Sequence, residues 1–193
     1  ACGEAVLDVI ELLTGSVTEQ EANLLYIAVT TDTGCFQYAN TNAATLRAAA
    51  RLLELGADNR KVSMEFFRKI SRARMALVGQ IYSGMRFFRG GQVAIAVVTR
   101  ALIDSVHATE DDCDDIAGLP GRADGVVVSV TIRELLDGRS KISVRSNPEV
   151  DACAICAVYG GGGHKMASGC TLDCGTETAV EKILAAIDQV WPA

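Results

Sequence analysis

Residues 159–169 read Tyr159-Gly160-Gly161-Gly162-Gly163-His164-Lys165-Met166-Ala167-Ser168-Gly169. Four glycines in a row are entropically costly to order. They make sense where the backbone takes positive φ, or where a ligand must approach without a Cβ in its way. Successive exposed N–H groups in such a turn form a nest for an anion, to which His164 adds a ring donor and Lys165 a point charge. Phosphate is the natural guest. The segment is not a P-loop, because His164 interrupts Gly-Lys-Ser/Thr. Nor is it a dinucleotide fingerprint, because no glycine falls at the last position of Gly-x-Gly-x-x-Gly. Its plain alternative is a flexible glycine hairpin.

Outward from this segment the pattern is mixed. Upstream, Ser143-Val144-Arg145-Ser146-Asn147-Pro148 places an arginine and a serine at a strand end, where Arg145 can clamp a phosphate bidentately or simply be solvated. Residues 125–132 and 141–144 are rich in β-branched residues and flank Asp137-Gly138, which predicts a hairpin; Val93 to Val98 predicts a further strand. Thr109-Glu110-Asp111-Asp112 opens a short acidic helix. Thr178-Ala179-Val180-Glu181 has the form of a capping box opening a last helix, with Ile183, Leu184 and Ile187 inward.

Toward the other end, Val6, Leu7, Ile10 and Leu13 are spaced as in a helix, and Thr18-Glu19-Gln20-Glu21 caps a second apolar run through Val29. Asn40-Thr41-Asn42 starts a helix with Leu46, Ala50 and Leu53 on one face and Gly56 at its end. Asp32 follows the second run and precedes Thr33-Gly34, a place where a carboxylate can sit at the mouth of a sheet as a metal ligand, or serve only as a turn or cap. One carboxylate does not hold a catalytic ion. Manganese or magnesium takes about six ligands, while this chain has two histidines, His107 and His164, and neither His-x-Asp-x-Asp nor Asp-His-His. Helices and strands alternate, so the class is α/β.

Three of these segments, in order, resemble the DHH/DHHA1 phosphoesterase family. The likeness is nearest to its nanoRNase and pAp phosphatase branch, and less close to its cyclic-dinucleotide phosphodiesterases and RecJ-like exonucleases. Thr31-Asp32-Thr33-Gly34-Cys35-Phe36-Gln37-Tyr38-Ala39-Asn40-Thr41 is similar to the family's fourth motif, which implies that Asp32 is a catalytic metal ligand for manganese (Mn2+) in a dinuclear site. Residues 143–146 and 160–169 are similar to the substrate-binding part of the DHHA1 domain, implying that Arg145, Ser146, Gly161, Gly162, Gly163 and His164 contact the nucleotide. The resemblance spans essentially the whole chain, and Gly-Gly-Gly-Gly-His-Lys is its most specific mark. The family's first three motifs would precede Ala1. Gln37 stands where many relatives carry arginine, and Ser168 where alanine is common.

The resemblance implies the tail of a DHH domain over 1–75, a helical connector over 76–90, and a DHHA1 α/β domain with a mixed sheet over 91–193. It implies a hydrolase acting on short oligoribonucleotides, pAp, or linear or cyclic dinucleotides, and this chain alone is expected to be inert. The partners are a nucleotide or short single-stranded RNA or DNA, with a homodimer as the assembly. A binding module of the kind appended to alanyl-tRNA synthetases is the competing reading, and residues 31–34 speak against it.

Charge and composition agree with a nucleotide partner. The chain has 193 residues, 49% of them hydrophobic, and a net charge of −6, which argues against a general nucleic-acid coat. Yet residues 47–89 carry +7 and the remainder −13, so one basic surface sits on an acidic protein. Arg60, Lys61, Arg68, Lys69, Arg72 and Arg74 within it either line a path for a polyanion or pair with acids elsewhere. No stretch approaches the roughly 20 apolar residues of a membrane span. Seven cysteines, unevenly placed, fit a reducing cytoplasm better than a secreted disulfide framework. The close pairs Cys153/Cys156 and Cys170/Cys174 can mean structural zinc, though their apolar surroundings favour core packing.

Overall fold

Thr18 and Asn42 set where two helices begin. The Thr18 hydroxyl accepts from the Glu21 N–H (3.3 Å) while the Glu21 carboxylate accepts the Thr18 N–H (2.8 Å), which is the capping box anticipated from the sequence. The Asn42 carbonyl oxygen accepts from the N–H groups of Ala44 (2.8 Å) and Thr45 (3.2 Å). The computed structural model describes residues 1–192, and the chain divides into two compact units, one of residues 1–70 and one beginning at Ser71.

The first unit is helical: α1 (Cys2–Thr14), α2 (Glu19–Asp32), α3 (Ala43–Glu54) and α4 (Asn59–Ser63), followed by a single π turn at Met64–Arg68. Its core gathers Leu7, Ala22, Leu25, Tyr26, Val29, Ala49, Leu52 and Val62. The face of α3 bearing Leu46, Ala50 and Leu53 points outward, with Leu46 52% and Leu53 41% exposed. Thr45, Ala49 and Leu52 are buried instead. The smaller stripe lets the helix approach its neighbours closely, and the Thr45 hydroxyl donates to the Glu4 carboxylate (3.1 Å). Asp32 is the last residue of α2 and stands at no sheet mouth, for the described residues of this unit contain no strand. The apolar run before it is a helix.

The second unit holds α5 (Arg72–Ser83), α6 (Arg100–Ser105), α7 (Ala152–Ala157) and α8 (Thr176–Val190) around one six-stranded sheet. Its strands are β1 (Arg86–Phe88), β2 (Val93–Val98), β3 (Val128–Glu134), β4 (Ser140–Ser146), β5 (Gly162–His164) and β6 (Ala167–Leu172), in spatial order β1-β2-β3-β4-β6-β5. Only β2 and β3 run parallel, so the sheet is mixed. The β3–β4 hairpin turns at Asp137-Gly138, where Gly138 takes φ +82° at no steric cost. Residues 76–90, read from the sequence as a connector, contain most of α5 and then β1; Leu77 and Ile81 are buried in the second unit.

Alternation along the strands decides which face is covered by what. Val93, Ile95, Val128, Val130, Ile132, Ile142 and Val144 point toward α7 and α8 and meet Ile155, Ile183 and Ile187 in one core. Burying each such side chain is worth about 1.5–3 kcal/mol. On the opposite face Ala96 and Val98 of β2 lie under Leu77 and Ile81 of α5, Ile103 of α6, and Ile116 and Leu119 from the short turns between 111 and 122. α8 begins at Thr176 behind Gly175, so Thr178-Ala179-Val180-Glu181 falls inside its first turns and does not cap it. The acidic stretch forms a single 3-10 turn at Asp111–Cys113, and Glu110 beside it pairs with Arg100 and Arg133.

Candidate functional site

The helices and turns of the second face cover β2 and β3, the turn at Ile116–Gly118 reaches as far as β4, and β6 and β5 are left bare. Lys141, Ser143 and Arg145 alternate out of β4 onto that bare face while Ile142 and Val144 enter the core. Pairing then sets the rows. Arg145 is opposite Ala167, which is opposite His164; Ser143 is opposite Gly169, which is opposite Gly162; Lys141 is opposite Thr171. The middle row therefore carries nothing larger than a hydroxymethyl group. These rows line an open depression of about 370 Å³, floored by Ser143, Gly162, Ala167 and Gly169, with Lys141 and Arg145 at its sides; His164 stands outside it, at the end of the Arg145 row.

Of the four glycines, Gly160 takes φ +70° and Gly163 φ +149°. The run is not a nest. It is a tight turn after α7 leading into the edge strand β5, whose outer side carries no neighbour in the sheet. Alternate N–H and C=O groups of such an edge face outward. A Cβ on Gly161 would lie 2.4 Å from the Gly169 carbonyl oxygen and 2.5 Å from Cys170 Cβ, so glycine is there because backbone and core approach it closely. A Cβ on Gly163 would meet the Ala167 carbonyl oxygen at 2.6 Å. Gly162 has open space at its Cβ position, on the side of the depression.

The electrostatics of the bare face are one-sided. In the second unit Arg86, Arg89, Arg100, Arg133 and Arg139 all pair with carboxylates. Among the described residues no carboxylate pairs with Arg145, Lys141 or Lys165; the Arg145 guanidinium donates to the carbonyl of its neighbour Val144 (3.0 Å). Beneath the glycine edge, Cys156 of α7 and Cys170 of β6 belong to one core. The Cys170 side chain brings the Cys156 thiol down to about 7 against the opposing effect of burial, with the Ser168 hydroxyl and then the Arg145 charge adding to the lowering. Cys156 in turn pushes Cys170 up, and burial adds to the rise. Both residues belong to the core that the sequence favoured over zinc.

Residues 90–191 match the DHHA1 domain. The chain belongs to the DHH/DHHA1 family. It is 38% identical over 189 residues to the bifunctional oligoribonuclease and PAP phosphatase NrnA of Thermus thermophilus, a match covering 97% of this chain and 56% of that protein. It is 31% identical over 185 residues to the A-adding tRNA nucleotidyltransferase of Geobacter sulfurreducens, covering 91% of this chain and 19% of that one. Among solved structures, an exopolyphosphatase-related protein from Bacteroides fragilis superposes with a TM-score of 0.88 at 25% identity, over 97% of this chain and 56% of its own. The chain thus spans little more than half the length of the NrnA relative it matches.

Within this DHHA1 domain the fold brings Gly161, Gly162, Gly163 and His164 to the β5 edge of the sheet, with Arg145 two strands in from it on β4. Ser146 is turned away: it follows Arg145 on the opposite face of β4, and its hydroxyl donates to the Val150 carbonyl (2.7 Å), tying down the turn after β4. Lys141, Ser143, Ala167 and Gly169 join the site without having been singled out from the sequence. The polar-apolar alternation of 141–145 was the signal that could have found the first two. Asp32 lies in the first unit, at the end of α2. Its carboxylate accepts from the Asn40 amide (3.3 Å), and the backbone beyond it runs left-handed through Gly34, Cys35 and Phe36. Thr33 holds that turn, accepting at its hydroxyl from the Phe36 N–H (3.2 Å). Among the described residues no three His, Cys, Asp or Glu side chains converge on a common point. One carboxylate does not meet the roughly six-ligand requirement of Mn2+, so the residues of this chain do not by themselves make the ion's site.

Proposed function

We propose that the second unit grips the nucleotide end of a short oligoribonucleotide or of pAp for phosphoester hydrolysis. The observation that carries this reading is the open face over β4, β6 and β5, where a floor with no side chain larger than a hydroxymethyl group is flanked by Arg145, a cation left without a carboxylate partner. A flat floor of Ser143, Gly169 and Gly162 admits a planar base or a sugar. Arg145 offers a charge-assisted fork to a phosphate, and His164 stands across Ala167 from it as a second donor. Holding both ends of a dinucleotide turns binding energy into orientation of the scissile bond. The similarity to NrnA supports the substrate class.

A dinuclear manganese site would supply an activated water and would neutralise phosphoryl charge, and ligands beyond those this chain brings together would be needed to hold it. Asp32 is proposed as one ligand. Seven free cysteines suit the proposed cytoplasmic location. Titration calorimetry of the chain with pAp and with the dinucleotide pApA tests the reading. Micromolar to millimolar binding that weakens in His164→Ala is expected, and affinity unaltered by His164→Ala or Arg145→Ala overturns the site.

The second reading, a tRNA-binding module, draws on the similarity to a tRNA nucleotidyltransferase. It predicts that intact tRNA binds far more tightly than pApA, and that the sheet-face substitutions leave tRNA binding in place.

A further inference from the structure

The basic stretch of the first unit is not consumed by the sheet-face site or by internal pairing. α4 is bolted to the unit at its start. The Asn59 amide oxygen accepts from the Tyr26 hydroxyl (3.0 Å), the Asp58 N–H donates to the Asn23 side chain (2.9 Å), and Val62 is buried. Beyond Val62 the chain leaves the core. The π turn closes with the Lys69 N–H donating to the Met64 carbonyl (3.1 Å), and every residue from Glu65 to Ile70 is exposed. Phe66 is 52% and Phe67 37% accessible, and neither belongs to a hydrophobic cluster of the described residues. Two exposed phenylalanines on a one-turn π element depart from both the apolar-in pattern and regular helix geometry, and such turns are frequent at functional positions.

Charge sharpens the point. Lys69 is taken by Glu65, but among the described residues no carboxylate pairs with Arg60, Lys61 or Arg68, and Asp58 is occupied as the cap of α4. The result is a mostly exposed segment that carries, within nine residues, two adjacent rings and three cations without a carboxylate partner, on a protein whose overall charge is negative. A phosphate alone needs no rings. A flexible strand of alternating phosphates and flat bases uses both, through stacking and charge.

We propose that residues 60–68 form a stacking platform for single-stranded RNA longer than a dinucleotide. The platform lies in a different unit from the sheet-face site and goes beyond the reading given above, while sharing its substrate class.

Fluorescence anisotropy of the 193-residue chain with a labelled single-stranded adenosine decamer, set beside pApA, tests it. The decamer is expected to bind at least about tenfold more tightly than pApA. Phe66→Ala with Phe67→Ala is expected to remove that advantage, the scale of losing one or two base stacks, and to leave pApA affinity unchanged. Replacing Arg60, Lys61 and Arg68 by Gln should flatten the salt dependence of decamer binding by about 2 in log-log slope. Phe66→Trp guards against a misfolded double variant: it should keep decamer affinity and show fluorescence quenched by RNA. Decamer binding no tighter than pApA, an advantage that survives the double alanine change, or unquenched tryptophan overturns the platform. So does equal competition by inorganic polyphosphate of the same charge, which shows charge without stacking. If pApA binds and the decamer gains nothing, the platform alone fails; if neither binds, the nucleotide reading of the sheet face fails with it.

Discussion

Arg145 and His164 stand in one transverse row of the sheet with only Ala167 between them, so two interstrand spacings, roughly 10 Å, separate a fixed cation from a ring donor across a floor bare of large side chains. That span fits one nucleotide with its phosphates, and it makes the two residues partners without contact. Arg145→Ala is expected to weaken pAp binding by about 10- to 100-fold, the range of a charge-assisted bond, and His164→Ala by about 5- to 10-fold. Calorimetry of the double variant should show a loss close to the product of the singles, as for two contacts about 10 Å apart. A single variant that keeps full pAp affinity would take that residue out of the site.

Gly161 and Gly162 are adjacent yet should fail in opposite ways. At Gly161 a methyl group meets the Gly169 carbonyl oxygen at 2.4 Å and Cys170 Cβ at 2.5 Å, so Gly161→Ala should cost about 3 kcal/mol of unfolding free energy. At Gly162 the methyl group meets nothing and stands over the depression. Gly162→Ala should leave the denaturant midpoint in place and weaken pApA binding. A stable Gly161→Ala protein would contradict the packing described here.

Ser168 is buried opposite Gly163, its hydroxyl without an oxygen or nitrogen partner and acting on the Cys156 thiol alone. Removing an unsatisfied buried hydroxyl takes away a desolvation penalty and leaves little void, so Ser168→Ala should raise stability by about 1 kcal/mol in urea unfolding. A loss of stability would show that the hydroxyl has a partner in solution.

Glu110 joins α6 to β3. The bond from Arg100 holds its carboxyl below the ordinary 4.5, and Arg133, at 2.9 Å, adds to the lowering. A carboxylate with a depressed folded value contributes stability above its unfolded value and loses it as the pH falls through the folded one. Glu110→Gln should therefore cost no more than about 0.5–1 kcal/mol at pH 7, because solvent screens a carboxylate that is 57% exposed, and much less in acid at a pH below its folded value. Equal destabilisation at both pH values would assign the cost to shape rather than charge.

Because Asp32 is the one candidate ligand from the fourth motif and no cluster of acids or histidines surrounds it among the described residues, manganese added to this polypeptide should give no release of phosphate from pAp above a buffer control. Binding of pAp should be the same with and without the ion. Turnover by the chain alone would show that one carboxylate is not the limit.

Much of the fold was legible beforehand. The hairpin about Asp137-Gly138, the strand at 93–98 and the capping box at Thr18 are local matters of turn chemistry and alternation, and each stands where the pattern put it. Other readings depended on distant partners. The glycine run looked like a nest because its neighbours across the sheet could not be seen; pairing with β6 draws it into an extended edge. On α3 two apolar stripes competed, and packing against α1 and α2 chose the smaller one. Ser146 carried the residue type of a ligand contact, but strand parity turned its hydroxyl toward Val150.

The amino-acid sequence alone determined the family, the α/β class and the position of a glycine-rich turn near residue 162, because glycine content, alternation and caps act within a few residues of chain. Tertiary structure alone decided which cations stay unpaired, which glycines are forced by close approach, and that Ser143 shares a floor with Gly162 beside Lys141. Those facts depend on strand register and on which half of a sheet the helices leave uncovered, and both are set by contacts between residues far apart in the chain.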